Sequence, residues 1–113
     1  MSTRDEIDNA LREWARGHKP TMAAVDFLIM AEAVPSQYVH EIGRPAAGAP
    51  THWLDLDALC DDLEAGRSDY LSGGEYATRA LVLALYRGVL DDHFWRLDGT
   101  RKSAFVRALE RNA

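Results

Sequence analysis

Residues 91–93 are the densest cluster of side chains in this sequence that could do catalytic or metal-binding chemistry. Asp91, Asp92 and His93 offer two carboxylates and an imidazole, the groups used in general acid–base catalysis and metal ligation. Such groups act only where they converge in space, and the other histidines are scattered, at positions 18, 40 and 52. We therefore interpret 91–93 as a polar surface turn and predict no catalytic residue, no metal site and no cofactor. An enzyme that uses these three residues is the alternative.

A second stretch with chemical potential is Leu-Ser-Gly-Gly-Glu at 71–75, which opens an alanine- and leucine-rich helix. Ser72, Gly73 and Gly74 fall where unpaired backbone N–H groups and the helix dipole attract anions. Ser72 and Glu75 also have the spacing of a capping box, in which each side chain accepts a hydrogen bond from the other residue's backbone. We favour the capping box and keep anion binding at Ser72, Gly73 and Gly74 as the alternative.

The Leu-Ser-Gly-Gly-Glu run resembles the signature motif of ABC-type and chromosome-maintenance ATPases. The resemblance implies contact with the γ-phosphate of ATP across a dimer. Those families also need an upstream G-x-x-x-x-G-K-[ST] loop, and no segment of this sequence has that spacing. Their nucleotide-binding domain is also much longer than 113 residues. We therefore interpret the resemblance as coincidental.

A broader resemblance covers most of residues 22–110. A buried alanine-rich helix is followed by a Trp-led acidic helix, then by the Ser-Gly-Gly-Glu helix and by an Asp-led final helix. This order resembles small actinobacterial and actinophage proteins of uncharacterised function. The resemblance supports a helical fold and implies no activity.

Aromatic and acidic side chains indicate a surface for a protein partner. We expect Trp53 to be partly exposed, followed by His93 and Trp95, and exposed aromatic residues dominate binding hot spots. The acidic residues of the third main helix, Asp61 and Asp62 among them, fit either a solvated helix face or a surface for a basic partner.

The terminal helices carry most of the basic side chains that could contact nucleic acid. If the two helices lie side by side, these side chains form one positive face; they are Arg12, Arg16, His18, Lys19, Arg101, Lys102, Arg107 and Arg111. The net charge of −5 opposes binding to phosphate backbones, so a nucleic-acid partner is the less favoured hypothesis.

Composition indicates a globular protein of the reducing cytoplasm. With 47% hydrophobic and 27% charged residues, the chain is close to the globular average. The lone cysteine, Cys60, has no partner for an internal disulfide and falls on the apolar face of a helix. The sequence shows no signal-peptide pattern and no apolar run long enough to cross a bilayer, so we expect no membrane association.

Helix starts and stops divide the first half of the chain. A capping box of Thr3 and Glu6 begins a helix that ends near Gly17. Residues 22–34, after Pro20, are apolar nearly throughout and favour a buried central helix that Pro35 ends, although a strand fits the same pattern. A short helix is predicted over 37–42. The Gly-, Pro- and Ala-rich stretch 43–51 connects the two halves of a single domain, 1–113.

The second half predicts three more helices. Asp55 caps a helix that ends before Gly66, a longer helix covers 72–86 with Gly88 as its terminator, and Asp98 begins the last helix. The apolar face of that last helix comprises Ala104, Phe105, Ala108 and Leu109.

The sequence thus predicts a mainly α fold, a compact bundle of about five helices with a short β-hairpin near 89–97. The favoured function is a non-enzymatic protein-interaction or assembly module, with another protein or a second copy of the chain as its partner. A small anion- or nucleotide-binding protein or enzyme that uses the 72–75 helix start is the first alternative, and a DNA-binding accessory protein is the second.

Overall fold

The computed structural model describes residues 3–43, 46–67, 71, 73–88 and 98–112. Within them lie α1 (Arg4–Ala15), α2 (Lys19–Met30), α3 (Leu56–Glu64), α4 (Gly73–Arg87) and α5 (Gly99–Arg111), with strands β1 (Val39–Glu41) and β2 (His52–Leu54) between α2 and α3. The predicted mainly α fold is confirmed, and the described residues form five helices and one short antiparallel sheet.

Helix α2 is the centre of the molecule. Helices α1, α4 and α5 all pack against it, and its residues Ala24, Val25, Phe27 and Leu28 are almost completely buried. This burial on several sides explains why the sequence pattern is apolar almost all round. The predicted central helix is therefore confirmed, and the strand alternative for this segment is wrong.

Both predicted boundaries of α2 were displaced. The helix starts at Lys19, because Pro20 sits in the first turn, where a missing N–H group breaks no helical hydrogen bond. It ends at Met30, well ahead of Pro35. Glu32 adopts a left-handed conformation (φ 53°), and Ala33 N–H donates to the Leu28 carbonyl, so the helix closes by a Schellman motif without glycine.

Side-chain caps fix the other described helix starts. Thr3 and Glu6 form the predicted capping box, and Asp55 and Asp98 each accept a hydrogen bond from the backbone N–H three residues later. These predictions are confirmed. Ser72, the predicted cap of α4, lies outside the described residues.

The sheet lies where the sequence predicted a short helix and a connection. Residues 36–38 form a single 3₁₀ turn, and β1 then pairs with β2 in the register Val39↔Leu54, His40↔Trp53 and Glu41↔His52. The helix predicted over 37–42 is therefore wrong, because hydrogen bonds to β2, about a dozen residues away, outweigh the local preference. Stretch 43–51 joins two paired strands, and the hairpin predicted near 89–97 falls outside the described residues.

Helix α5 adds a second aromatic ring to the core. Phe105 meets Phe27 of α2 edge to face, with 5.4 Å between ring centroids and 85° between ring planes. Ala104 and Ala108 are buried beside it. Leu109, predicted on the same apolar face, is 45% exposed, because it lies at the edge of the buried face, about 40° around the helix beyond Phe105.

Cys60 is fully buried in the core, as its position on the apolar stripe of α3 predicted. None of the helices in the described part of the chain is both long enough and apolar enough to cross a membrane.

Candidate functional site

The residues predicted for anion binding and catalysis are only partly described. Gly73 and Gly74 open α4, whereas Ser72, Asp91, Asp92, His93 and Trp95 lie outside the described residues. The Arg101 side chain lies against the α4 start, since a Cβ atom on Gly74 would come within 2.9 Å of Arg101 Nη1. Anion binding at Ser72, Gly73 and Gly74 therefore stays a prediction, and so does the alternative of an enzyme that uses residues 91–93.

A polar cavity of about 360 Å³ lies beside the start of α4. Its lining includes the guanidinium groups of Arg79 and Arg101 and the carboxylates of Glu32 and Glu75. Arg79 lies over the Tyr38 ring, 5.7 Å from its centroid, and Arg79 Nη1 is buried without a hydrogen-bond partner among the described residues. Two positive and two negative side chains leave this cavity without the excess positive charge that phosphate binding favours.

The acidic residues of α3 bind arginines of the same chain. Arg87, at the end of α4, contacts Asp61 (Nη2 to Oδ1, 3.0 Å) and Asp57 (3.4 Å), and its Nη1 lies 3.4 Å from Glu64 Oε2. The hydrogen bond to Asp61 is the main reason that the pKa of Arg87 is raised. Much of the predicted acidic surface is therefore used to join α3 to α4.

Asp62 is also bound within the fold. It accepts a hydrogen bond from Tyr38 Oη at 2.6 Å and another from Arg67 Nε at 2.8 Å. Both hydrogen bonds lower the pKa of Asp62, and the one from Tyr38 has the larger effect. Asp62 thus connects α3 to the segment that leads into β1.

Trp53, predicted to be partly exposed, is half-buried in β2. Its ring centroid lies 6.4 Å from that of Trp14 on α1 and 4.9 Å from that of His40 on β1. The three rings form one aromatic row that joins α1 to the hairpin formed by β1 and β2.

The basic ends of the terminal helices converge on a buried carboxylate. Asp26 of α2 is 6% exposed and lies 3.4 Å from Arg12 Nε and 3.8 Å from Arg111 Nε, and it accepts a hydrogen bond from Asn112 Nδ2 at 3.1 Å. This role of Asp26 was not predicted, although a charged residue inside an apolar run is a visible signal in the sequence. Two of the basic side chains considered for DNA binding are therefore bound to Asp26.

A groove of about 570 Å³, referred to below as the α1–hairpin groove, lies between α1 and the hairpin that β1 and β2 form. Three separate segments line it: the first turns of α1, the residues after α2, and the hairpin. The lining residues are Arg4, Ile7, Asp8, Glu32, Val34, Ser36, Val39, Glu41 and His52. It therefore combines apolar side chains with three carboxylates and one arginine.

Two polar residues of the groove are partly withdrawn from water. His52 is 5% exposed, with its Nδ1 2.9 Å from Thr51 Oγ1 and its Nε2 3.8 Å from Glu41 Oε1. Burial is the main cause that raises the pKa of Asp8, although Arg4 and Arg12 act in the opposite direction. A cation placed beside Asp8 would restore interactions that the carboxylate loses by burial.

Beside this groove, the outer edge of β1 pairs with no other strand among the described residues. Ile42 N–H donates to the Thr51 carbonyl and Asp55 N–H donates to the Tyr38 carbonyl, so the alternation of an antiparallel pair directs the backbone groups of Val39 and Glu41 away from β2. Val39 N–H donates to Ser36. Both carbonyls and Glu41 N–H have no backbone partner in the described ranges.

Sequence reasoning missed this groove. Its residues come from positions 4–8, 32–41 and 52, and no motif joins them. Glu32, a charged residue at the end of an apolar run, was the single local signal. The described part of the chain contains no cluster of three His, Cys, Asp or Glu side chains that could hold a metal.

No protein-family model matches the chain, and no curated protein or solved structure is significantly similar to it. The resemblance to small actinobacterial and actinophage proteins therefore stays a prediction.

Proposed function

We propose that the protein is a non-enzymatic interaction module that binds a partner protein in the α1–hairpin groove. The observation that carries the proposal is the composition of this groove, in which apolar walls stand beside three carboxylates and one arginine. Apolar walls supply affinity through burial, and the carboxylates select a partner with positive charge.

The apolar part of the groove is provided by one residue from each segment. Ile7 comes from α1, Val34 from the residues after α2, and Val39 from β1. All three are partly buried and pack against the core, so their positions are fixed by the fold. A preformed apolar surface costs little ordering entropy when a partner binds.

The charged part of the groove favours a basic partner. Asp8, Glu32 and Glu41 line the groove together with the apolar residues, and Arg4 is the single arginine or lysine in the lining. The Glu41 side chain is 82% exposed, and its ion-pair distance to the His52 ring is 3.8 Å. It is therefore available for a lysine or arginine of another chain.

The test is nuclear magnetic resonance with a pool of short synthetic peptides that contain lysine or arginine together with valine, isoleucine or leucine. We expect the amide shifts of Asp8, Val39 and Glu41 to move with peptide concentration. In Glu41→Lys the same peptides should bind at least tenfold more weakly.

Glu13→Lys is the matched control, because Glu13 lies on α1 outside the groove and pairs with Arg16 at the surface. The affinity of Glu13→Lys for the peptides should stay within twofold of the wild-type affinity. Shifts that cluster elsewhere, or equal losses in Glu41→Lys and Glu13→Lys, would overturn the proposal.

A further inference from the structure

Resting on the function proposed above, we infer that the partner binds as an extended, basic segment that adds a third strand along the open edge of β1. Three features of the structure favour this mode of binding: the outward-directed backbone groups of β1, the side chains beside them, and the charge of the groove.

The backbone of β1 offers three hydrogen-bonding groups on its outer side. These are Glu41 N–H and the carbonyls of Val39 and Glu41, none of which bonds to another backbone group in the ranges that the structure describes. Such a row is a template for a further strand. A peptide that adds to a sheet edge gains affinity from main-chain hydrogen bonds, whereas a helix in the groove would leave these groups unpaired.

The side chains of the same two residues set the pattern of the added strand. Val39 and Glu41 both line the groove, as alternate residues on one face of a strand should. In the added strand, one residue then lies opposite Glu41. Its side chain faces the groove, and so does the side chain two positions away. The favoured pair in the added strand is a lysine or arginine opposite Glu41 and a valine, isoleucine or leucine opposite Val39, with one residue between them.

The direction of the added strand fixes the order of this pair. In an antiparallel arrangement the partner of Val39 follows the partner of Glu41, so the motif reads basic, any residue, aliphatic. In a parallel arrangement the order is reversed. Because Glu41 has both backbone groups directed outward, an antiparallel partner can form a doubly hydrogen-bonded pair with it.

Charge distinguishes this occupant from a second copy of the chain. Two β1 edges paired with each other would bring the Glu41 carboxylates of both copies close together, and each chain carries a net charge of −5. Like charges across neighbouring strands are destabilising. A basic segment instead meets Glu41, Glu32 and Asp8 with opposite charge.

The experiment uses three fluorescein-labelled peptides with blocked ends and the full chain. The first is a nonapeptide with lysine and valine alternating on one face and threonine on the other. The second has the same sequence with N-methyl groups on alternate amides on one edge, made as two versions that together cover both edges. The third is a helix-forming peptide of equal charge with lysine and leucine at helical spacing.

Fluorescence anisotropy gives the affinities, and hydrogen exchange gives the site. We expect the first peptide to bind, at least one N-methylated version to bind at least tenfold more weakly, and Glu41→Lys to weaken the first peptide by at least tenfold. Glu13→Lys should change its affinity by less than twofold. Exchange of the Glu41 amide proton should slow on binding, because this N–H gains a carbonyl acceptor.

Two kinds of failure can be told apart. If the helical peptide or both N-methylated versions bind as tightly as the first peptide, and Glu41→Lys still weakens them, strand addition is wrong while docking in the groove stands. If no peptide binds, or Glu41→Lys and Glu13→Lys behave alike, the groove itself is not the binding surface. A dimer in light scattering in which the Glu41 amide proton exchanges slowly without any peptide would show that a second copy occupies the edge.

Discussion

Asp26 connects three helices of the fold through polar contacts. It lies on α2, is almost fully buried, and contacts Arg12 of α1 together with Arg111 and Asn112 at the end of α5. Arg12 is held in this position with its Nε atom buried. A carboxylate at position 26 therefore offsets the free-energy cost of placing the guanidinium groups of Arg12 and Arg111 against an apolar helix.

Replacing Asp26 with asparagine should lower the free energy of unfolding by about 1–3 kcal/mol, because the buried Nε of Arg12 then loses its counter-charge. Urea denaturation monitored by tryptophan fluorescence measures the change. The control is Glu13→Gln, which removes an exposed carboxylate 3.2 Å from Arg16 and should cost less than about 0.5 kcal/mol. Equal effects of the two substitutions would mean that Asp26 is no more important than a surface charge.

Cys60 makes the stability of the fold sensitive to alkaline pH. Burial raises the pKa of its thiol from 9.0 to about 11, so the folded chain holds this proton more tightly than the unfolded chain. The resulting stability is fully present below pH 9 and is lost as the pH rises through 11. The wild type should therefore lose about 1 kcal/mol more than Cys60→Ala between pH 8 and pH 10.

Denaturation of both chains at several pH values tests this prediction, and the tyrosine and lysine contributions are shared by the two chains. A parallel loss in wild type and Cys60→Ala would contradict it. The thiol should also stay unreactive towards iodoacetamide at pH 8 until urea is added, because the thiolate is the nucleophile.

At the scale of elements, α5 is held to the core by a narrow face. Phe105 packs edge-on against Phe27, and Ala104 and Ala108 lie beside it. The neighbouring Val106 is 42% exposed. Two adjacent apolar residues of one helix thus differ sharply in what they contribute to stability.

Phe105→Ala should lower the free energy of unfolding by about 3–5 kcal/mol, because it empties a site between α2 and α5. Val106→Ala should change it by less than about 0.5 kcal/mol. Thermal and urea unfolding of the two variants provide the comparison. A small effect of Phe105→Ala would indicate that α5 contributes little to the core.

Local signals predicted the helices well and the sheet poorly. Thr3 with Glu6, Asp55 and Asp98 satisfy backbone groups within a few residues of themselves, so their caps were visible in the sequence. Strand β1 is stabilised by hydrogen bonds to β2, and the residue types near β1 do not predict that pairing. The helix predicted over 37–42 failed for this reason.

At the scale of the whole molecule, the α1–hairpin groove depends on how distant segments meet. Ile7, Val34 and Val39 belong to three separate segments of the chain and all pack against the core. Their pattern in sequence is that of ordinary half-buried residues. The acidic total of −5 was visible from the start, but the position of the three carboxylates around one groove follows only from the fold.

Glu32 shows how binding and stability can make opposite demands on one position. Its left-handed φ of 53°, at the point where α2 closes, is a conformation that glycine adopts without strain. Glu32→Gly should therefore raise the free energy of unfolding by about 0.5–1 kcal/mol. It should also weaken a lysine-containing peptide in the groove, because one of three carboxylates is removed.

Calorimetric unfolding and peptide titration on the same variant would measure both effects, with Glu32→Gln as the control that removes the charge and keeps the strain. A more stable protein that binds less well would identify position 32 as a compromise between folding and recognition. Screening variants of this chain for thermal stability alone would then select variants that bind the ligand more weakly.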